Sequence, residues 1–283
     1  MGCHEWIKYF NNAVRMLFPD NISDDKTCIY KYVADNKAVS GIVEGCIWAT
    51  SIKSFWVTGS GSNPPDTSEG QLVLEYVRDF LKDQKNKTTL YYNELNKLIS
   101  TDDPYKTVFK NNQTCVVSLS VCGDSKYLWE NYAKNDGYII EFNKKRFLDS
   151  LLLETPSCIY DSSIFKHAAV EYNKYEHIRK MEKALEEMSH LISKDCCLPN
   201  NDKAEYILEL LIFLSIFYKK EEYANEQEYR VALTVDSRRN PMTQEHLPMI
   251  YTHTESDGKK ETIHVFFLSL IHISEPTRHS LIS

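Results

Sequence analysis

Residues 226–235 constrain the fold most strongly, because polar and apolar residues alternate there with a period of two. This alternation predicts a β-strand whose successive side chains point to opposite faces of a sheet. One predicted face carries Gln227, Tyr229, Val231, Leu233 and Val235. The other carries Glu226, Glu228, Arg230, Ala232 and Thr234. Two carboxylates and a guanidinium are therefore expected side by side at the start of a late strand.

This charged face has two interpretations that the residues alone leave open. Neighbouring carboxylates raise each other's pKa, whereas an adjacent guanidinium lowers it. The simpler interpretation is a solvated surface in which Arg230 forms salt bridges with Glu226 and Glu228. The other is a functional site in which the same carboxylates take part in chemistry.

Alternating strand and helix patterns along the chain predict one α+β domain, a mixed and mostly antiparallel sheet flanked by helices. Strands are expected at 28–33, 46–51, 115–121, 138–142, 226–235 and 262–267. Helices are expected at 5–18, 35–44, 70–82, 125–132, 165–193 and 202–219, the last of them apolar on most sides and therefore central. Loops are expected at 57–69, which is rich in Gly, Ser and Pro, and at 236–260.

Composition narrows the possible partners of the chain. The 33 Lys and Arg residues against 40 Asp and Glu give a net charge of −7, so a dedicated binder of duplex nucleic acid is not expected, although a local basic groove is not excluded. The eight cysteines form no Cys-x-x-Cys pair and the nine histidines no His-x-x-x-His pair, so no metal is predicted. No apolar run approaches the roughly 20 residues of a membrane span, and no signal peptide pattern opens the chain, so a cytoplasmic protein is expected.

The C-terminal residues do not read as part of the domain. Residues 268–278, LSLIHISEPTR, resemble a translated frame of a sequencing adapter. We therefore expect a domain that spans residues 1–267 and is cut short at its C-terminus, followed by a non-native tail at 268–283.

Several segments together resemble the domain of unknown function 2971 family. They are CIYKY at 28–32 with SGIVEGCIW at 40–48, then SLS at 118–120, LWENY at 128–132 and GYIIEF at 137–142, and finally YANEQEYR at 223–230. The layout of these segments is similar to that of a divergent ADP-ribosyltransferase. The resemblance implies the corresponding fold, with NAD as the substrate and a small-molecule nucleotide as the partner.

The resemblance also implies roles for individual residues. Tyr30 or Tyr32 would lie at the adenosine or nicotinamide ribose, and Ser120 would support the central strand of the cleft. Glu228 would take the catalytic position, with Glu226 as a second carboxylate that deprotonates an acceptor or activates water. Arg230 would orient the site or contact a phosphate. If so, one of the tyrosines, Ser120 and Glu228 should converge on one cleft.

The implied reaction breaks the nicotinamide–ribose bond, and positive charge then develops on the ribose as in glycoside hydrolysis. A fixed carboxylate would stabilise that charge. ADP-ribosyl transfer and NAD hydrolysis stay open, as do the acceptor and a role as a toxin or phage-defence effector. One alternative is a non-catalytic ligand-binding or sensor module. Another is a hydrolase that uses the same carboxylates on a nucleotide or nucleic acid.

Overall fold

The computed structural model describes residues 27–52, 68–83, 90–101, 112–134, 136–153, 163–193, 199–236, 250–254 and 261–266. The predicted helix at 5–18, most of the predicted loop at 57–69 and the predicted tail at 268–283 lie outside these residues. None of the helices in the described ranges has the length and apolar character needed to cross a membrane.

The described residues contain eight strands and seven α-helices. The strands are β1 Cys28–Val33, β2 Cys46–Ser51, β3 Asn112–Ser120, β4 Tyr138–Asn143, β5 Ser163–Ala169, β6 Glu228–Asp236, β7 Ile250–Thr254 and β8 Glu261–Phe266. The helices are α1 Asn36–Val43, α2 Ser68–Asp83, α3 Leu90–Ile99, α4 Lys126–Asn131, α5 Lys144–Leu153, α6 Lys174–Ser193 and α7 Asn200–Ser215, and a 3₁₀ helix spans Glu221–Glu226.

The eight strands form one sheet in which β3 is the central strand. Along one side, the whole of β3 pairs with β6, and β5 pairs with the far side of β6. On its other side, β3 pairs with β2 near its middle and with β1 at its end. β4 continues the sheet beyond β1, and β8 and β7 continue it beyond β2. All these strand pairs are antiparallel, which confirms the predicted α+β fold with a mostly antiparallel sheet flanked by helices.

Both faces of the sheet are covered by apolar clusters. Val116 of β3 and Ala232 of β6 belong to the larger cluster, which is built mainly from α2, α3, α6 and α7. Their neighbours Val117 of β3 and Val231 of β6 belong to a second cluster with α1 and α5. Because neighbouring strand residues face opposite sides, each face of the sheet packs against its own helices. Helix α7 is buried along most of its length, as its sequence predicts.

The predicted helix at 165–193 is wrong at its start. Residues up to Ala169 form β5, which pairs with β6 over seven residues, and the helix begins only at Lys174. Asn173 marks the change, because its side-chain oxygen accepts hydrogen bonds from the backbone of Tyr175 and Glu176. Pairing with a distant strand thus overrides the local helical pattern.

Other elements differ from the sequence prediction at their ends or were not predicted. Helix α2 begins at Ser68, so the end of the predicted loop at 57–69 is helical. Helices α3 and α5 were not predicted, and the predicted loop at 236–260 contains strand β7. Strand β8 confirms the predicted late strand with a shift of one residue.

Candidate functional site

The chain changes direction immediately before β6. Glu226 ends the 3₁₀ helix, and Gln227 adopts a left-handed backbone conformation with φ of 43° and ψ of 51°. Such a conformation is unusual for a residue other than glycine and interrupts strand geometry. The prediction that Glu226 lies on the strand is therefore wrong, and β6 begins at Glu228.

Glu228 and Arg230 lie on the same face of β6, as period-two alternation predicts, and they form a bidentate ion pair. The Nε atom of Arg230 donates to one carboxylate oxygen of Glu228 at 2.8 Å, and Nη2 donates to the other at 2.9 Å. The remaining Arg230 nitrogen donates to the carbonyl of Ile216, just after α7, at 2.5 Å. Glu228 is 7% exposed and Arg230 is 1% exposed. The charged face is therefore buried, and its interpretation as a solvated surface is wrong.

Lys219 brings the second carboxylate into the same cluster. Its Nζ atom lies 2.5 Å from Oε2 of Glu226 and 3.3 Å from Oε2 of Glu228. Although Glu226 is not on the strand, Lys219 thus forms ion pairs with both Glu226 and Glu228. We call Lys219, Glu226, Glu228 and Arg230 the ion cluster. Its formal charges balance, as a buried group of charges requires.

Two tyrosines flank the carboxylates of the ion cluster. The hydroxyl of Tyr132, which is half exposed, donates to Oε1 of Glu226 at 2.7 Å. The hydroxyl of Tyr172 accepts a hydrogen bond from the backbone N–H of Glu228 at 2.9 Å. Burial raises the pKa of both phenols, and the negative charges of the nearby glutamates contribute further. Both phenols are therefore protonated at neutral pH and can act as donors.

The two cations decide the ionisation of Glu228. Burial by itself would raise the pKa of this carboxyl group, but the charges of Arg230 and Lys219, with hydrogen bonds from Arg230 and Ser118, outweigh it and hold the pKa at about 2. Lys31 is also nearby and donates from Nζ to the carbonyl of Ser118 at 2.7 Å. Burial lowers the pKa of Lys31, and the negative charge of Glu228 opposes that change.

The strand register aligns three of the predicted site residues. Tyr30 of β1 lies opposite Ser120 of β3, and Ser120 lies opposite Glu228 of β6. Residues directly opposite each other in antiparallel strands share a face of the sheet, and Tyr32 shares the face of Tyr30 because it is two residues further along. The structure thus brings both tyrosines, Ser120 and Glu228 to one face. Their roles in binding and catalysis stay predictions.

The hydroxyl groups of Tyr32 and Ser120 hold backbone segments around this face. Tyr32 donates to the carbonyl of Cys122 and accepts from the N–H of Ser125, both at 3.0 Å. Ser120 donates to the carbonyl of Glu226 at 2.9 Å and accepts from the N–H of Cys122 at 3.1 Å. Ser120 therefore connects the end of β3 to the turn before β6. Tyr32 is only 8% exposed and packs edge-on against Trp129, so its side chain belongs to the packed interior.

The sequence analysis missed Lys219, Tyr132 and Tyr172 as members of the site. In the sequence, Tyr132 ends the predicted helix at 125–132 and the segment LWENY, and Lys219 ends the predicted helix at 202–219. A lysine directly after a run of buried apolar residues was the available signal, because a buried cation requires an acidic partner. Across the described ranges, no group of three or more His, Cys, Asp or Glu side chains is arranged to hold a metal ion.

Comparison with known protein families gives a match over part of the chain. The family model described as "Protein of unknown function (DUF2971)" matches residues 128–231. This match supports the predicted resemblance over a stretch that contains the whole ion cluster, Tyr132 and Tyr172. Tyr30, Tyr32 and Ser120 lie outside it. No curated protein and no solved structure matches the chain.

Proposed function

We propose that the ion cluster is the active site of a cytoplasmic enzyme that breaks the nicotinamide–ribose bond of NAD and passes ADP-ribose to an acceptor or to water. A role as a toxin or phage-defence effector is part of the same proposal. One observation carries it: the carboxylate of Glu226, 5% exposed, is held between the buried Lys219 and the half-exposed phenol of Tyr132. A carboxylate in this position is shielded from water, and only the side chain of Tyr132 separates it from the solvent.

The geometry divides the roles of the two carboxylates differently from the sequence prediction. Both oxygens of Glu228 accept hydrogen bonds from Arg230, and its pKa is depressed, so it is a weak base. We assign Glu228 as the positioning residue that holds Arg230 and Lys219. Glu226 becomes the carboxylate that faces the substrate, because movement of the Tyr132 phenol would uncover its Oε1 atom.

In the proposed step, the bond between the ribose C1′ and the nicotinamide nitrogen breaks, and its electron pair leaves with nicotinamide. A lone pair on the acceptor oxygen forms the new bond to C1′, and the proton of the acceptor passes to Glu226. The negative charge of Glu226 stabilises the oxocarbenium character of the ribose more strongly in the transition state than in NAD. The ring face of Tyr30, which is less buried than Tyr32, would stack on the nicotinamide or the ribose.

Nicotinamide release from NAD by the purified chain tests the proposal. Glu226→Gln should lower the rate at least about 100-fold, because it removes the base and the negative charge together. Glu176→Gln is the matched control, since Glu176 is a more exposed glutamate paired with Arg179 on α6, and its rate should equal that of the wild type. A folded Glu226→Gln protein with the wild-type rate would remove Glu226 from catalysis.

A non-catalytic module that binds a nucleotide is the second candidate. It is favoured by the bidentate pairing of Glu228 with Arg230, which leaves neither oxygen of the predicted catalytic residue without a partner. Titration calorimetry with NAD separates the two candidates. Saturable binding by the wild-type chain without any nicotinamide release favours the module, whereas release favours the enzyme.

A further inference from the structure

A stacked pair of buried aromatic side chains lies between α6 and the segment that follows α7. The rings of His177 and Tyr218 are 4.5 Å apart and tilted by only 17°. His177 is 1% exposed and Tyr218 is fully buried. Both carry polar atoms, so in this environment each atom needs a hydrogen-bond partner.

The hydrogen bond of His177 fixes which of its nitrogens carries the proton. Nε2 lies 2.6 Å from the backbone carbonyl of Glu171, which can only accept, so Nε2 carries the hydrogen. Burial lowers the pKa of His177 and keeps the ring neutral. The Nδ1 atom is then a bare acceptor. Neither Nδ1 of His177 nor the hydroxyl of Tyr218 has a partner in the part of the chain that the structure describes.

We propose that a water molecule binds at this buried pair, donating a hydrogen bond to Nδ1 of His177 and accepting one from the hydroxyl of Tyr218. The two atoms define the chemistry of the ligand, because Nδ1 requires a donor and a phenol offers a hydrogen to an acceptor. Water supplies both functions from one oxygen, and buried waters in proteins satisfy polar groups of this kind. A ligand with only one of these functions would leave one buried polar atom unpaired.

The water would stabilise the place where the backbone of Glu171 meets the backbone of residues 217–219, which we call the junction. The carbonyl of Glu171 accepts from Nε2 of His177 and also from the backbone N–H of Lys219, the latter at 3.0 Å. The N–H of Glu171 in turn donates to the carbonyl of Phe217 at 2.9 Å. Fixing His177 and Tyr218 therefore fixes the residues on both sides of the junction. This inference does not depend on the proposed reaction.

Three Tyr→Phe variants of the full chain test for the water. Tyr32→Phe removes a hydroxyl with two protein partners, and Tyr175→Phe removes one on a side chain that is 83% exposed. If the water is present, Tyr218→Phe should lower the thermal unfolding midpoint by about 2–4 °C, and we expect the same loss from Tyr32→Phe. If the hydroxyl has no partner, its removal should leave the midpoint equal to that of Tyr175→Phe or raise it, and the inference is then wrong.

A double-mutant cycle tests whether one water serves both atoms. His177→Gln keeps an amide N–H within reach of the Glu171 carbonyl but removes the Nδ1 acceptor. With a shared water, the double variant should lose less stability than the two single variants lose in sum, because either change alone displaces the water. Additive losses contradict the proposal. A crystal structure of the wild-type chain should show one water peak within hydrogen-bond distance of both atoms, and a well-ordered pair without such a peak would overturn it.

Discussion

The substitution Arg230→Met tests whether the ion cluster is a coupled buried network. It removes two hydrogen bonds to Glu228, at 2.8 and 2.9 Å, and one to the carbonyl of Ile216. Glu228, which is 7% exposed in the wild-type chain, would keep Lys219 at 3.3 Å as its nearby cation. Removing one partner of a buried ion pair costs about 3–5 kcal/mol. Since Lys219 stays in place, we expect the lower end, about 3 kcal/mol.

Urea unfolding followed by circular dichroism measures this loss. With an m-value of about 3 kcal/mol per molar, the midpoint should fall by about 1 M urea. The double variant Arg230→Met with Glu228→Met should be more stable than Arg230→Met alone, because the uncompensated carboxylate is gone.

Arg179→Met is the matched control for this experiment. Arg179 pairs with Glu176 at the surface, where the two side chains are 61% and 40% exposed, so its loss should change the urea midpoint much less than the loss of Arg230 does. The reasoning is refuted if Arg230→Met costs no more than Arg179→Met. It is refuted equally if the double variant is no more stable than Arg230→Met.

Two further predictions concern the carboxylates. Because the folded pKa of Glu228 lies below its ordinary value of 4.5, its contribution to stability is present above about pH 4.5 and is lost as the pH falls towards 2. Urea unfolding at several pH values should show that Glu228→Gln weakens this loss of stability in acid. An unchanged loss in acid would contradict the pairing of Glu228 with Arg230. Tyr132→Phe should cost less than about 1 kcal/mol of unfolding free energy, because Tyr132 is half exposed. It should speed nicotinamide release, because the phenol no longer competes with the acceptor for Oε1 of Glu226; an unaltered or slower rate would contradict the role given to Tyr132.

The strand that carries the site was predictable because strand geometry is local. The alternation of apolar and polar residues in β6 follows from a backbone period of two, and the structure confirms that Glu228, Arg230 and Ala232 share a face. The break before it was not predictable from periodicity. Gln227 is neither Gly nor Asn, so its left-handed conformation left no compositional signal.

The burial of the charges could not be read from the same run, because it depends on a different part of the chain. The segment that follows helix α7 lies next to β6 and supplies both the carbonyl of Ile216 and the ammonium group of Lys219. No pattern within 226–235 specifies that contact. The helix predicted at 165–193 failed for the same reason, since β5 exists through its pairing with β6, which lies more than 50 residues later in the sequence.

The most direct test of the proposed function is proton NMR of NAD incubated with the purified chain, with the resonances of free nicotinamide followed over time. We predict that these resonances grow with the wild-type chain and with Glu176→Gln but not with Glu226→Gln, while circular dichroism shows that all three proteins are folded at the temperature of the assay. If NAD stays intact in the presence of folded wild-type chain, or if Glu226→Gln releases nicotinamide just as quickly, the ion cluster does not cleave NAD.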